Sequence, residues 1–514
     1  MATFDITNQL YGRTKITSAL RFTGEENKDV QTAMDILANA LNIHNKNVEK
    51  ETELWNYYVN NSDIWEKTKT QRDDINNKVT IANAYAFTRT INSYCFGEPV
   101  QYTERTNGKQ EMIEKLSQYL DYACNMTATE NATLSASICG LGYKLALPAS
   151  KEQYEESGVP FMISKDMIYP QKAFMVYTDD ALSEKLMGVY ITTYTNEDGN
   201  TVDKYNCFTK NFNIVFIEDN GAYKVIPQIL DGKEANYYPN VSGKIALTEI
   251  ERNPFRKGDW EVATDLMILL NRITSDRMDD IDQIIDYILV LTNCSFKTEE
   301  EKNETLESRV LELTVANPAV KPTVEILKNA IDQNGIQAFV DYVENKIIEI
   351  VGVPTRAERA GGGHDTGTAV KYRNGFRDLE NNAGIILPKF EQAELDFLGS
   401  CIGYAQVYPD CGISELRPYE IRLKFLRSLN DDVVSSATAF ATYVKNGVDF
   451  ETAFHLSNGV TDPAEATKKV KDAFDNEETL IQLIAKANAK YSTTTTVSGT
   501  TEKNTVVDNN NIAE

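Results

Sequence analysis

Apolar side chains at Leu266, Leu270, Ile273, Ile281, Ile284 and Ile288 fall at helical spacing, and the opposite side of the same pattern is dominated by Asp. This stripe predicts one amphipathic helix from about Asp259 to Thr292, broken on its apolar side only by Arg277. At ~1.5 Å per residue it would reach roughly 50 Å. A helix that long with a single apolar stripe needs neighbours along its length, because its stability comes mainly from burying that stripe. Copies of the same chain could supply them.

Upstream, Met34, Leu37, Leu41, Trp55, Tyr58 and Ile64 give residues Asp29 to Leu145 a helical reading. Within it, INNKVTIANAYAFTRTINSYCFGEPVQY predicts a helix that stops at Gly97, since Gly97 and Pro99 bracket its end. From Phe161 to Glu251 the texture turns to β: Val189, Ile191 and Thr193 alternate with Tyr190, Thr192 and Tyr194. Asp198-Gly199 and Asn220-Gly221 predict two tight hairpins, because such dipeptides supply positive φ angles. After the acidic helix, VLELTVANPAVKPTVEIL reads as a small strand-and-turn module, and Ile336 to Val351 as a helix ended by Pro354. ERAGGGHDTGTAVKYR then predicts a flexible glycine loop. A long helical pattern follows to about Ala405, with a kink expected near Pro388. EIRLKFL reads as a strand, further helices run to about Lys490, and the polar tail 491–514 reads as disordered.

Composition narrows the function classes. The chain has 514 residues and a net charge of −24, which argues against wrapping nucleic acid tightly, since that needs clustered Lys and Arg. It is compatible with DNA sliding past a wall that offers phosphates few places to bind. Between Lys257 and Thr292 eight acids face three bases, although a charge run is most often just a solvated face. No apolar run approaches the ~18 residues that span a membrane, and the amino terminus lacks the apolar core of a signal peptide, so a cytosolic product is expected. The seven cysteines show no CxxC spacing and read as reduced, packed thiols.

Catalytic chemistry is hard to find. His44, His364 and His455 lie far apart without the paired spacing of a metal ligand set, so neither a metal nor a cofactor is expected. No GxSxG elbow is present. GGHDTGT, Gly362 to Thr368, has the glycine spacing of a phosphate loop but carries Thr368 where a Walker loop needs Lys. A nucleotide-binding enzyme is therefore the weaker alternative.

Three runs carry a family resemblance: NNKVTIANAYAFTRTINSYCFGEPVQY (Asn76 to Tyr102), NPFRKGDWE (Asn253 to Glu261) and GGGHDTGTAVKYR (Gly361 to Arg373). In their order and spacing, from about residue 45 to 485, the chain resembles the portal (head-tail connector) proteins of long-tailed bacteriophages, in the branch found among phages of Gram-positive bacteria. The glycine loop departs from the family habit, with His364 and Asp365 where Ser or Asn is usual.

The resemblance implies an α+β portal architecture with a mainly helical wing, stem and crown, a β-rich wing part and a small α/β clip. Carried onto this chain, it implies an N-terminal arm (1–28), a wing (29–252), a first stem helix (253–292), a clip (293–335) and a second stem helix (336–355). A tunnel loop (356–367), a long kinked wing helix (368–410), a wing strand with helical crown (411–490) and the tail would follow. The channel would be lined by Asp265, Arg272, Asp276, Asp279, Asp280 and Asp286 on the stem, and by Glu358, Arg359, Gly361, Gly362, Gly363, His364 and Asp365 on the loop. The implied role is non-enzymatic: a ring, typically a dodecamer, at one capsid vertex of the virion, assembled in the host cytoplasm. Double-stranded viral DNA would pass through it during packaging and ejection. Implied partners are terminase, the major capsid protein, a scaffold protein and a head-tail adaptor, with no membrane. Another oligomeric head-tail structural protein is the second alternative.

Overall fold

The computed structural model describes residues 12–475 apart from 70–73, 106–107, 196–198, 200, 220, 231–232, 236, 286–287, 296–313, 316, 318, 322, 328–332, 355–375, 426–432 and 458–462. The chain divides into two compact units, Met1–Leu429 and Asn430–Glu514. The fold is α+β.

In the first unit, helix α1 (Glu26–Tyr58) buries Ala33, Ile36, Leu37, Ala40, Leu41 and His44, a run at three- and four-residue steps that defines one face. This face packs on Ile16, Phe174, Val189, Cys207 and Ile214 of a seven-stranded sheet. The sheet runs Ile16–Ser18, Ala173–Thr178, Lys185–Thr195, Thr201–Thr209, Phe212–Asp219 and Tyr238–Pro239, with Ala222–Val225 also pairing to Phe212–Asp219. All pairs are antiparallel except the first, where Ile16–Ser18, within the expected N-terminal arm, adds in parallel to Ala173–Thr178. Both hairpins form. Asp219 pairs with Ala222 around Gly221 at φ 78°, and Thr195 pairs with Thr201 around Gly199 at φ 80°.

Helices α2 (Asn83–Phe96), α3 (Gln110–Tyr122) and α4 (Asn125–Cys139) follow the expected helical texture, and α2 ends at Gly97; α5 (Lys151–Ser157) is a further short helix outside that reading. The helical reading to Leu145 is too long. Leu141–Pro148 is a buried strand between Leu247–Glu251 and Phe161–Ile163, and α4 lies so close to it that a Cβ on Gly142 would meet the Ala132 carbonyl at 1.9 Å.

The expected acidic helix is also shorter than its pattern. Helix α6 spans Thr264–Ile285, 22 residues, behind a 3-10 turn at Glu261–Ala263. Ile288–Thr292 is instead a strand, antiparallel to Thr323–Leu327. ILVLT is apolar at four consecutive positions, which suits a paired strand better than one stripe of a helix. The helix therefore covers roughly 33 Å. Beside it Cys294–Ser295 pairs with Thr314–Val315, and the Asn293 side chain donates to the Asn317 and Val320 carbonyls. Helix α7 (Gln333–Val351) returns and ends at Gly352 with φ 70°. Helix α8 (Phe376–Ala405) continues through Pro388 and crosses the three-stranded sheet. Ile421–Lys424, the expected strand, pairs with Gln101–Glu104.

The second unit holds α9 (Val433–Lys445), α10 (Phe450–Ser457) and α11 (Pro463–Asp475). Phe440 stacks on Phe454 with ring centroids 4.2 Å apart. The tail 491–514 lies outside the described residues.

Candidate functional site

The acidic helix is launched from a buried ionic turn. Asn253 Oδ1 accepts from the backbone N–H of Phe255 and Lys257, which folds the turn and carries Arg256 at φ 54°. Arg252 donates two hydrogen bonds to Asp259, at 2.7 and 2.6 Å, and Ser137 Oγ donates to the same carboxylate. Arg256 donates to Glu249 at 3.0 Å, and the hydroxyls of Tyr143 and Tyr177 donate to Glu249 as well. Arg13 pairs with Glu261, and the fully buried Trp260 donates its indole N–H to Thr88. Gly258 has no room for a side chain, because a Cβ would stand 2.2 Å from the Ile138 carbonyl. The NPFRKGDWE run is thus a densely hydrogen-bonded foundation for the helix.

Helix α6 presents three faces. Met267 and Leu270, with Ala263 of the preceding 3-10 turn, enter a core shared with Trp260, Val340, Val343 and Ile347, the last three from α7. Near the far end, Arg277 Nη1 donates to Gln337 Oε1 of α7 at 2.6 Å. The solvent face carries Asp265, Leu269, Arg272 and Asp276, with Asp280 partly covered. Four of the expected channel residues, Asp265, Arg272, Asp276 and Asp280, therefore share one stripe.

The third face is polar and covered. Asn271, Ser275, Asp279 and Asp282 recur at steps of four, four and three, and the segment 77–81 runs along them. The backbone N–H groups of Asn77, Val79 and Ile81 donate to Asp279, Ser275 and Asn271 respectively. The match is metrical: two residues of extended chain advance ~6.6 Å and four residues of helix ~6 Å. Asp279 corrects the expectation of an acidic wall. It is buried and ion-paired with Lys67 and Lys69, because its position on the helix points it into this strap. Burial works to raise its pKa, but hydrogen bonds from Lys67, Lys69 and Asn77 outweigh that and hold the carboxyl far below the usual range. Asp276, on the solvent face, also pairs with Lys67 at 2.7 Å. Lys67, Lys69, Asn271 and Ser275 had no place in the expected site. The only local signal for Asn271 and Ser275 was their polar spacing of four along the helix, and nothing local pointed to Lys67 and Lys69.

Apolar side chains on both helices stay uncovered. On α7, Phe339, Tyr342 and Ile350 are 48%, 59% and 47% exposed, flanking the buried Val340, Val343 and Ile347. On α6, Ile281 of the expected stripe is exposed together with Leu269 and Met278.

The loop residues Glu358, Arg359, Gly361, Gly362, Gly363, His364 and Asp365 lie outside the described residues, as does Asp286. The described ends on either side of the loop, Pro354 and Phe376, line one cleft of about 1090 Å³ with Tyr85 and Arg89 of α2 and Asp341 and Glu344 of α7. Among the described residues there is no His, Cys, Asp and Glu cluster with the geometry to hold a metal, and no helix is long and apolar enough to cross a membrane. His44 is enclosed against the Phe174 ring, and burial pushes its pKa down to about 4.

A family model described as phage portal protein, SPP1 Gp6-like, matches residues 37–480. A solved structure described as the neck of an empty GTA particle computed with C6 symmetry aligns at 9% identity and a TM-score of 0.40, covering 77% of this chain and 89% of that one. At that score the alignment bears no weight. No curated protein matches.

Proposed function

The chain belongs to the SPP1 Gp6-like family of phage portal proteins, and from that premise we propose that it assembles into a ring at one capsid vertex, with double-stranded DNA passing through the centre. In this reading α6 and α7 are the stem, and the strands between Ile288 and Leu327 form the clip. Residues 29–252 form most of the wing, α8 crosses it, and the helices of the second unit form the crown. Asp265, Arg272, Asp276 and Asp280 face the channel, and the loop 356–367 projects toward the DNA. The clip faces terminase during packaging and a head-tail adaptor afterwards, while capsid and scaffold proteins surround the ring. The protein works as a conduit and docking ring, and a separate motor supplies the energy.

The observation that carries this reading is the row of uncovered apolar side chains on α7, Phe339, Tyr342 and Ile350. A ring neighbour would bury them. Native mass spectrometry and negative-stain imaging of the purified chain test it: closed rings are expected, and a monomer at micromolar concentration across a range of salt would sink the proposal.

A further inference from the structure

Against a net charge of −24, one cleft of the first unit gathers lysines. It measures about 550 Å³, and Lys15, Lys185, Lys210, Lys244 and Lys389 reach its wall from five separate segments. Four carboxylates share that wall, and each already has a cation. Asp396 pairs with Lys185 at 2.7 Å, Glu184 with Lys210 at 2.9 Å and Glu251 with Lys389 at 3.0 Å. Glu249 is held by the buried Arg256 at 3.0 Å.

Lys15 and Lys244 are therefore in surplus. Among the described residues neither forms an ion pair within 4.0 Å. Lys15 Nζ sits 3.9 Å over the Tyr177 ring. Burial pushes its pKa down and Arg256 and Lys389 push the same way, against the opposing pull of Glu251 and Glu249. An incoming anion would relieve that strain on the charged form.

An apolar feature adjoins this cationic one. Leu182 lines the same cleft and is 81% exposed. The turn that presents it is fixed in place. Asp180 Oδ1 accepts from the backbone N–H of Leu182 and Ser183, at 3.1 and 3.0 Å, and Arg21 pairs with both Asp179 and Asp180. A leucine held in water by an ordered turn, beside two unmatched ammonium groups, is a surface prepared for a ligand with both characters.

We propose that this cleft receives a short acidic peptide segment of another protein, whose carboxylates pair with Lys15 and Lys244 while a neighbouring apolar side chain packs on Leu182. Duplex DNA fits poorly. It is far wider than a cleft of this volume, and its phosphate rows would meet Glu184 and Asp396 on the wall.

The test uses the purified full chain and a fluorescein-labelled peptide in which glutamates flank a leucine, read by fluorescence anisotropy. A peptide with lysines in place of the glutamates and a duplex oligonucleotide run alongside it. Saturable binding of the acidic peptide is expected, weakened about tenfold by Lys244→Glu and also weakened by Leu182→Ser. It should fall as salt is raised. Both positions are exposed, so the fold is not at risk, and unchanged thermal unfolding of each variant verifies this. No saturable binding, binding indifferent to both variants, or tighter binding of the duplex would overturn the proposal. A change in assembly mass in either variant would also overturn it, by showing that the cleft is a contact between copies of this chain.

Discussion

Two buried carboxylates, Glu394 and Glu51, show how differently the same side chain can be treated. Glu394 of α8 is wholly enclosed, yet it is fully engaged: Lys144 donates to it at 2.7 Å, and Tyr102 and Asn125 donate to its other oxygen. Lys144 also lies 4.0 Å over the Phe397 ring. Lys144→Met should leave that charge uncompensated and cost about 3–5 kcal/mol in denaturant unfolding, whereas Lys144→Met with Glu394→Met should recover much of the loss. A double variant no better than the single one would show that packing, not charge, sets the cost. Among the described residues Glu51 has no such cation in contact, and its Oε2 has no hydrogen-bond partner. Burial raises its pKa from 4.5 to about 7, against the opposing pull of Arg13 and Arg256. The folded state therefore holds the proton more tightly than the unfolded chain, and the contribution of this group to stability falls as pH rises from about 4.5 to about 7. Glu51→Gln should gain on the wild type by up to about 3 kcal/mol across that window. His44, depressed from 6.5 to about 4, works the other way and loses stability as pH falls. The two trends oppose each other in the wild type, so the variant should unmask the acid-side slope in urea melts at stepped pH. A constant difference between Glu51→Gln and wild type over that range would mean the carboxyl titrates normally.

At the scale of elements, the acidic helix owes its position to a strap that no local pattern announces. The N–H groups of Asn77, Val79 and Ile81 close on Asp279, Ser275 and Asn271 across about two hundred residues of sequence. Ser275→Ala with Asp279→Asn should leave α6 helical, because its apolar face remains in the core, while the strap loosens. Hydrogen exchange should quicken at amides 77 and 79 and stay unchanged at Leu270. Equal quickening along α6 would mean the strap supports the helix itself. The same contrast explains what the sequence made legible. Hairpins were readable because Asn220-Gly221 and Gly199 fix the chain within a few residues, and Gly97 and Pro354 marked helix ends for the same reason. The end of α6 was misread, since ILVLT is apolar in either period and only its pairing with TVEIL decides for a strand. Asp265, Arg272, Asp276 and Asp280 could be grouped from helical spacing, but Asp279 could not be separated from them, because Lys67 and Lys69 approach from far away in sequence.

At the scale of the whole molecule, the decisive quantity is the apolar surface that one protomer leaves unburied along α7. Phe339, Tyr342 and Ile350 rise along α7 at steps of three and eight, so all three lie on one flank of the helix. A ring built head to tail buries such a flank against a different surface of the next copy, and closes only if every contact holds. Burying one large apolar side chain contributes ~1.5–3 kcal/mol. About half of each side chain is left for a neighbour to bury, so Phe339→Ser with Tyr342→Ser should weaken each interface by roughly 1.5–3 kcal/mol, a ten- to hundredfold shift from rings toward monomers at micromolar concentration. The same pair should change the unfolding of the isolated protomer little, since both side chains are already about half exposed there. Native mass spectrometry and denaturant melts on one preparation separate the outcomes. Intact rings would remove this flank of α7 from the interface, leaving α6 with Met278 and Ile281 to supply it. Destabilised monomers would mean that Phe339 and Tyr342 support the fold, and the apolar row would no longer be evidence for a ring.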